Sequence, residues 1–366
     1  MIRVLIDGQV FSIHKRGGIG RVFSSLYDEY LRLPLEQKDD LKIRLGVLLT
    51  IYSSIPRFRK KGPPLYLEGL FASSKLSLLA NWLCLWLVPY KIVHSTYYFQ
   101  RYLIRRPGTQ HVVTLHDMIP EDFPQFFPRS NPHFQKEKFL RNADRIVCVS
   151  HYTKSRLENY YPELVHKAIV ISPGVKPAPT SFEDRVRNFN ILYVGKRGEY
   201  KDFTTLLKSL PPLFQSEPRL KVLAVGTEKF NATESALIET LGLSGRVIQR
   251  ELSDRELEVA YETCLTVVVT SHVEGFGLPV IEAMAHGALV IATDIPVFNE
   301  IAGGAFLSFA PSDSAELTRV IQSVLANPAG FDTNRQLGYS IATKYSWKKS
   351  FSELITLYRE MGDSVR

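Results

Sequence analysis

Glu274 and Glu282 stand with seven residues between them in the string TSHVEGFGLPVIEAMAHG, residues 270–287. A carboxylate accepts from paired hydroxyls, so one of the two could grip the hydroxyls of a sugar and the other a ribose diol. Between them, Gly275-Phe276-Gly277-Leu278 supplies a turn in which glycine lets a ligand approach the backbone. Pro279 suits the first turn of a helix, where its missing N–H costs nothing, and the free amides there form an anion or hydroxyl site. Taken alone, the pair has a plainer reading, in which Glu274 caps amides and Glu282 lies on a helix surface.

Three cations, Lys196, Arg197 and Lys201, follow the strand-like run ILYV and Gly195. At a strand end close to a helix start they suit a diphosphate, arginine by a forked contact and lysine as a point charge; a solvated basic loop is the competing reading. His116 and Asp117 directly follow HVVTL, where a histidine can hydrogen-bond a hydroxyl or move a proton. Gly17-Gly18-Ile19-Gly20-Arg21 lies between the first strand pattern and a helix pattern, as a phosphate- or acceptor-contacting loop should. It is not the dinucleotide fingerprint, whose G-x-G-x-x-G spacing it lacks.

The elements that must carry these residues follow a strand–helix alternation. VLID, KIVHST, HVVTLHD and RIVCVS alternate with helical patterns, and after residues 172–190, which hold three prolines, NILYVG, LKVLAVG, RVIQR, LTVVVTS and LVIATD do the same. This predicts two consecutive doubly wound α/β domains, residues 1–172 and 190–345, with a linker over 173–189 and a helical tail over 346–366. In the tail, Phe351, Leu354, Ile355, Tyr358 and Met361 recur at helical spacing, as in a packing helix. The 366 residues carry 45 Lys and Arg against 37 Asp and Glu, a net +8, with 45% hydrophobic and 22% charged residues. That composition excludes a disordered or collagenous chain. Cys84, Cys148 and Cys264 lack metal-site spacing, which predicts a reducing compartment. No secretory leader pattern opens the chain, and Leu76–Val88 falls short of the roughly 18 apolar residues of a spanning helix, so a cytoplasmic location is expected.

The string EGFGLPVIEAMAHGALVIATDIPVFNEIAGG resembles, over nearly its whole length, the donor-site signature of retaining glycosyltransferases of the GT-B fold, family 4. The resemblance implies two facing Rossmann-like domains with an interdomain cleft, an N-terminal domain for the acceptor and a C-terminal one for the nucleotide sugar. The tail helix would cross back to the first domain. It further implies that Glu274 orients the donor sugar, that Glu282 grips the ribose, and that Gly275, Phe276, Gly277 and Leu278 line the donor loop. Arg197 and Lys201 match the family's pyrophosphate ligands, with Gly195 before them, although many members place arginine directly after the glycine, where this chain has Lys196. Gly18 would approach the donor phosphates, and the backbone at Arg250 and Leu252 would face the base. His116 would contact the donor sugar; Gly17, Arg21 and Asp117 fall to the acceptor.

A retaining transfer of this kind needs no protein nucleophile, and the chain contains no D-x-D triplet to hold a divalent ion on a diphosphate, so metal independence is expected. The string VGKRGEYKDF looks most like branches that use GDP-mannose in bacterial polysaccharide or lipopolysaccharide assembly, with UDP- and dTDP-sugars as alternatives. Arg57, Arg59, Lys60 and Lys61 precede an apolar, aromatic stretch, so residues 57–91 read either as an element docking on the anionic cytoplasmic leaflet, a peripheral membrane contact, or as a core helix with a solvated loop. A saccharide or lipid-linked glycan is the expected acceptor. Nucleic acid is not an expected partner, since the cations are dispersed. The alternative function is a non-catalytic nucleotide- or glycan-binding paralogue.

Overall fold

The computed structural model describes residues 1–13, 17–46, 75–178 and 187–363. They form two compact units, one of Met1–Gly174 with Ser346–Arg366 and one of Val175–Tyr345.

The first unit is built on six parallel strands: β1 (Ile2–Asp7), β2 (Leu41–Gly46), β3 (Ile92–Ser95), β4 (Gln110–Leu115), β5 (Arg145–Cys148) and β6 (Ala168–Val170), ordered β2-β1-β3-β4-β5-β6. The strands read as nearly continuous apolar runs because helices bury both faces, as a parallel sheet requires. Chain direction across the sheet reverses between β1 and β3, whose carboxyl ends carry the Asp7–Gln9 and Thr96–Phe99 turns. Asp7 is buried there; Thr96 donates to it through N–H and hydroxyl, and Gln9 through its amide at 2.6 Å. The helix Trp347–Asp363 belongs to this unit and buries Phe351, Leu354, Ile355, Tyr358 and Met361. Tyr358 Oη and His94 Nδ1 share a 2.6 Å hydrogen bond, and a Cβ on Gly362 would lie 2.4 Å from Ile2. A larger residue there would push the Ile2 side chain aside.

The second unit repeats the architecture with β7 (Asn190–Val194), β8 (Lys221–Val225), β9 (Val247–Arg250), β10 (Thr266–Val269), β11 (Val290–Thr293) and β12 (Leu307–Phe309). Their order, β12-β11-β10-β7-β8-β9, reverses between β7 and β10. Ligands of such sheets sit outside the carboxyl ends of the strands at that reversal. The stretch expected to link the units is in part fastened to the second one. Val175 N–H donates to Tyr345 O, Ala178 N–H to Ala285 O and Asn188 N–H to Thr263 O, while residues 179–186 lie outside the described residues.

Of the segment expected to meet a membrane, residues 57–74 lie outside the described residues. The helix Lys75–Leu87 follows, with Leu79, Leu83, Trp86 and Leu87 exposed and Leu85 buried. Among the described residues no helix is long and apolar enough to cross a membrane.

Candidate functional site

Two loops meet at the reversal point of the second sheet. One leaves β7 through Gly195 (φ 119°) and reaches the helix Phe203–Ser216; the other leaves β10 and enters the helix Leu278–Ala285. Four contacts stitch them together. Thr270 donates to Lys201 O at 2.6 Å, His272 N–H to Tyr200 O at 2.8 Å, His272 Nε2 meets Asp202 Oδ2 at 2.9 Å, and Lys201 Nζ forms an ion pair with Glu274 Oε1. Ser271 Oγ donates to the same Glu274 oxygen at 2.8 Å. Asp202 sits in the left-handed region at φ 45°, where its carboxylate caps the following helix through Thr205. Such backbone strain persists only where the surroundings over-determine it.

Gly277 caps the Leu278 helix at φ 92°, and a Cβ on it would lie 2.6 Å from the Phe298 ring. Both the conformation and the space demand glycine. Pro279 falls in the first turn, as its missing donor permits. Glu282 is half-buried one turn further on, with Tyr261 Oη 3.4 Å from its Oε2. Phe276 is buried edge-on against Tyr345, which fixes its ring within the loop.

Among the cations expected to face a diphosphate, the structure separates Lys201 from Arg197. Arg197 is 5% exposed, and its guanidinium is committed to protein acceptors: Nε donates to Glu234 Oε1 at 3.0 Å and Nη2 to the carbonyls of Glu228 and Lys229 at 2.7 and 2.8 Å. It also lies over the Phe230 ring at 5.0 Å. Arg197, expected to be a phosphate ligand, thus has Nε and Nη2 held by protein acceptors, and releasing them would break three hydrogen bonds. Lys196, its neighbour, is exposed directly after Gly195. Tyr193, buried on β7, points its Oη at both Lys196 O (3.2 Å) and Lys201 O (3.1 Å), pinning the backbone of the two lysines with one hydroxyl. Sequence reasoning missed Tyr193, Glu234, His272 and Asp202. Glu234 and Asp202 carried local signals, the N-x-x-E spacing of a capping box from Asn231 and an aspartate at a helix N-cap.

Arg250 is exposed at the end of β9, and its carbonyl is taken by the Gly226 N–H at 3.0 Å. Leu252 is half-buried beyond it.

In the first unit, Gly17 and Gly18 are exposed at the start of the helix Gly18–Arg32; Gly17 has φ 169°, extended backbone that any residue adopts. Arg21 donates its N–H to Gly17 O within that first turn. His116 is buried at the end of β4 with Nε2 3.1 Å from Thr96 O. A carbonyl only accepts, so Nε2 carries the proton and Nδ1 is left with a lone pair. Burial pushes His116 down to about 4, so the ring is neutral at pH 7 and acts as an acceptor rather than an acid. Asp117 is less available than expected. Its Oδ1 accepts from Ile119 N–H at 3.1 Å and lies 3.8 Å from His133 and 3.7 Å from Lys136. Burial alone would raise its carboxyl, but His133, Lys136, the Ile119 N–H and His116 together outweigh burial and lower it. Lys136, fully buried, also donates to Asp117 O at 2.7 Å and Glu121 at 2.8 Å.

Comparison with known proteins places this geometry. Residues 181–343 match the family model for glycosyl transferases group 1, and residues 33–178 match the one for glycosyltransferase family 4. The chain is 26% identical over 214 residues to the O-antigen chain mannosyltransferase RfbU of Salmonella typhimurium, covering 58% of this chain and 60% of that protein. It is 23% identical over 273 residues to O-antigen chain mannosyltransferase B of Escherichia coli, covering 68% and 70%. The fold matches the sucrose-phosphate synthase of Thermosynechococcus elongatus at TM-score 0.73, 19% identity and 99% of both chains. It also matches Anabaena HepE solved with UDP-glucose, at TM-score 0.68, 18% identity, and 97% and 100% of the two chains.

Proposed function

The chain belongs to the group 1 glycosyltransferases of the GT-B fold, and from that premise we propose that it moves a hexose from a nucleotide sugar, with retention at the anomeric carbon, to a saccharide or lipid-linked glycan. The observation that carries this reading is the contact of Lys201 with Glu274 beside the Leu278 helix start, at the sheet's reversal point. A cation for phosphate and a carboxylate for hydroxyls are thereby side by side, as a sugar diphosphate requires.

In the proposed reaction the bond from the anomeric carbon to the β-phosphate oxygen breaks while the acceptor oxygen bonds to the same face of that carbon. The acceptor's proton passes to the departing phosphate oxygen, so no protein nucleophile takes part. Charge grows on the β-phosphate, and Lys201, Lys196 and the first-turn amides of the Leu278 helix stabilise it without a divalent ion. Glu274 orients the sugar through its hydroxyls, and Glu282 takes the ribose.

GDP-mannose is the favoured donor, supported by the O-antigen mannosyltransferase relatives. The first unit supports an anionic partner on the acceptor side. It carries 29 Lys and Arg against 17 Asp and Glu, a net +12, whereas Val175–Tyr345 carries 16 against 20, a net −4. Exposed Leu79, Leu83 and Trp86 add an apolar face suited to the cytoplasmic leaflet. A thermal-shift panel of UDP-, GDP-, dTDP- and ADP-sugars tests the donor, since a ligand at 100 times its Kd stabilises by about 2.7 kcal/mol. Failure of all four to stabilise the protein would overturn the reading; binding without hydrolysis or transfer would make the chain a non-catalytic binder.

A further inference from the structure

We propose that the buried Arg197–Glu234 pair positions the diphosphate-binding turn, holding Gly195–Lys196 so that Lys196 presents the cation. This rests on the reading that the second unit binds a nucleoside diphosphate.

Arg197 lies two residues beyond Gly195, in the loop that leaves β7, and its three hydrogen bonds all end on the segment after β8: the carbonyls of Glu228 and Lys229 and the carboxylate of Glu234. The guanidinium is thus a bolt between the ends of two adjacent strands. Glu234 divides its two oxygens, Oε1 to Arg197 and Oε2 to the Asn231 N–H at 2.8 Å, so the carboxylate that receives the bolt is itself fixed by a helix cap. Phe230 closes the guanidinium's face, and the side chain of Glu234 is 12% exposed. The approach is close as well: a Cβ on Gly226 would lie 3.2 Å from Gly195 O.

A charge buried among fixed acceptors is held rigidly, because moving it leaves unpaired groups on both sides. The residue before it inherits that rigidity in its backbone. Tyr193 pins the Lys196 carbonyl from the other side. With the main chain of Lys196 fixed and its side chain exposed, one lysine stands at the strand end with no ion pair of its own among the described residues, whereas Lys201 is paired with Glu274. Arg197 is in this account a positioning residue and touches no substrate.

The test titrates wild type, Arg197→Met, Arg197→Lys, Glu234→Gln and the Arg197→Met/Glu234→Gln double variant with UDP and with GDP by calorimetry, with thermal unfolding in parallel. Arg197→Met and Glu234→Gln should each weaken the bound diphosphate by about tenfold. The double variant should be no weaker than the worse single one, and Arg197→Lys, which keeps the charge and loses the forked geometry, should fall between. Adding Lys196→Gln to Arg197→Met should cost little more, because the lysine is already misplaced. Arg197→Lys and Glu234→Gln, which change shape least, keep the test readable if Arg197→Met unfolds. A role in folding alone would lower the melting temperature and leave Kd unchanged, and that result overturns the proposal. So does loss of binding in Arg197→Met with wild-type binding in Glu234→Gln, which would make Arg197 a direct ligand. Wild type binding neither nucleotide overturns the diphosphate reading and the positioning role with it; variants matching a wild type that binds overturn the positioning role alone.

Discussion

Lys201 and Glu274, the two side chains best placed to hold phosphate and sugar, neutralise each other. The side chains are 21% and 12% exposed, so solvent screens the pair only in part. Two unit charges 4 Å apart attract by about 4 kcal/mol at an effective dielectric near 20, most of it offset by lost hydration. A diphosphate arriving at Lys201 competes with that carboxylate and is repelled by it. Glu274→Gln keeps the shape and an oxygen for Ser271 and Lys201 but removes the charge, turning a charge-assisted contact into a neutral one worth about 1 kcal/mol less. Relief of repulsion adds about the same again, so the free nucleoside diphosphate should bind the variant about five- to thirtyfold more tightly, a gain of about 1–2 kcal/mol. Turnover should move the other way, down by about a hundredfold, because the sugar loses the carboxylate that orients it. Calorimetry with UDP and GDP at 0.05 and 0.5 M salt reads the first effect, which should shrink as the Debye length contracts. Initial rates with the matching nucleotide sugar read the second. Unchanged or weaker diphosphate binding by Glu274→Gln would refute the competition, and near-normal turnover would remove Glu274 from the site.

Lys196→Gln should weaken UDP or GDP by about tenfold at low salt and reduce the salt dependence, measured by the same titration. Gly277→Ala should destabilise the second unit by about 2–4 kcal/mol, since it meets both a positive φ and the Phe298 ring; adding Phe298→Leu should recover part of the loss in melting temperature by relieving the clash but not the backbone strain. Burial pushes His94 down to about 3 and His111 and His116 to about 4. Below pH 6.5 the unfolded chain takes up protons that the folded unit refuses, so the first unit should lose stability as pH falls from 6.5 toward 4, by about 2 kcal/mol per histidine at pH 5. Urea titrations at pH 7.5 and 5 check this, and His111→Gln should flatten the slope. Transfer should persist in EDTA; loss of activity restored only by a divalent ion would end the metal-free account.

The legible parts of the site were those encoded locally. Gly277 and Pro279 announce a helix start by type alone, with Glu274 in the loop before it and Glu282 inside it. Strands reading as apolar runs bounded by glycine or polar residues gave the α/β alternation. Nothing beside Arg197 in the chain reveals its burial; its partners lie 31, 32 and 37 residues further on. A cation after a strand glycine looks the same whether it points out or folds back under the next loop. Tyr193 escaped for a related reason: on β7 it reads as one more apolar core position, and only the fold shows its hydroxyl reaching two carbonyls. Buried Lys136 is a third case, its charge explained by Asp117 and Glu121, 19 and 15 residues earlier.

The net charge of +8 also misleads when taken whole, since it is the sum of +12 on the first unit and −4 on the second. A unit carrying net −4 that binds a diphosphate gains nothing from its overall field. Its binding must come from short-range placement, from Lys196, Lys201 and helix amides, and short-range contacts in a partly buried site are weakly screened. In the proposed reading the first unit's excess acts instead as a field, one that would concentrate anionic partners and fade once the Debye length falls to a few ångströms. Salt should therefore separate the two binding events. Between 0.05 and 0.5 M, nucleoside diphosphate affinity should fall by only a few fold, while association with vesicles containing an anionic phospholipid should be lost. The reverse ranking, with vesicle binding insensitive to salt and nucleotide binding abolished, would mean that the charge division has no bearing on which unit meets which partner.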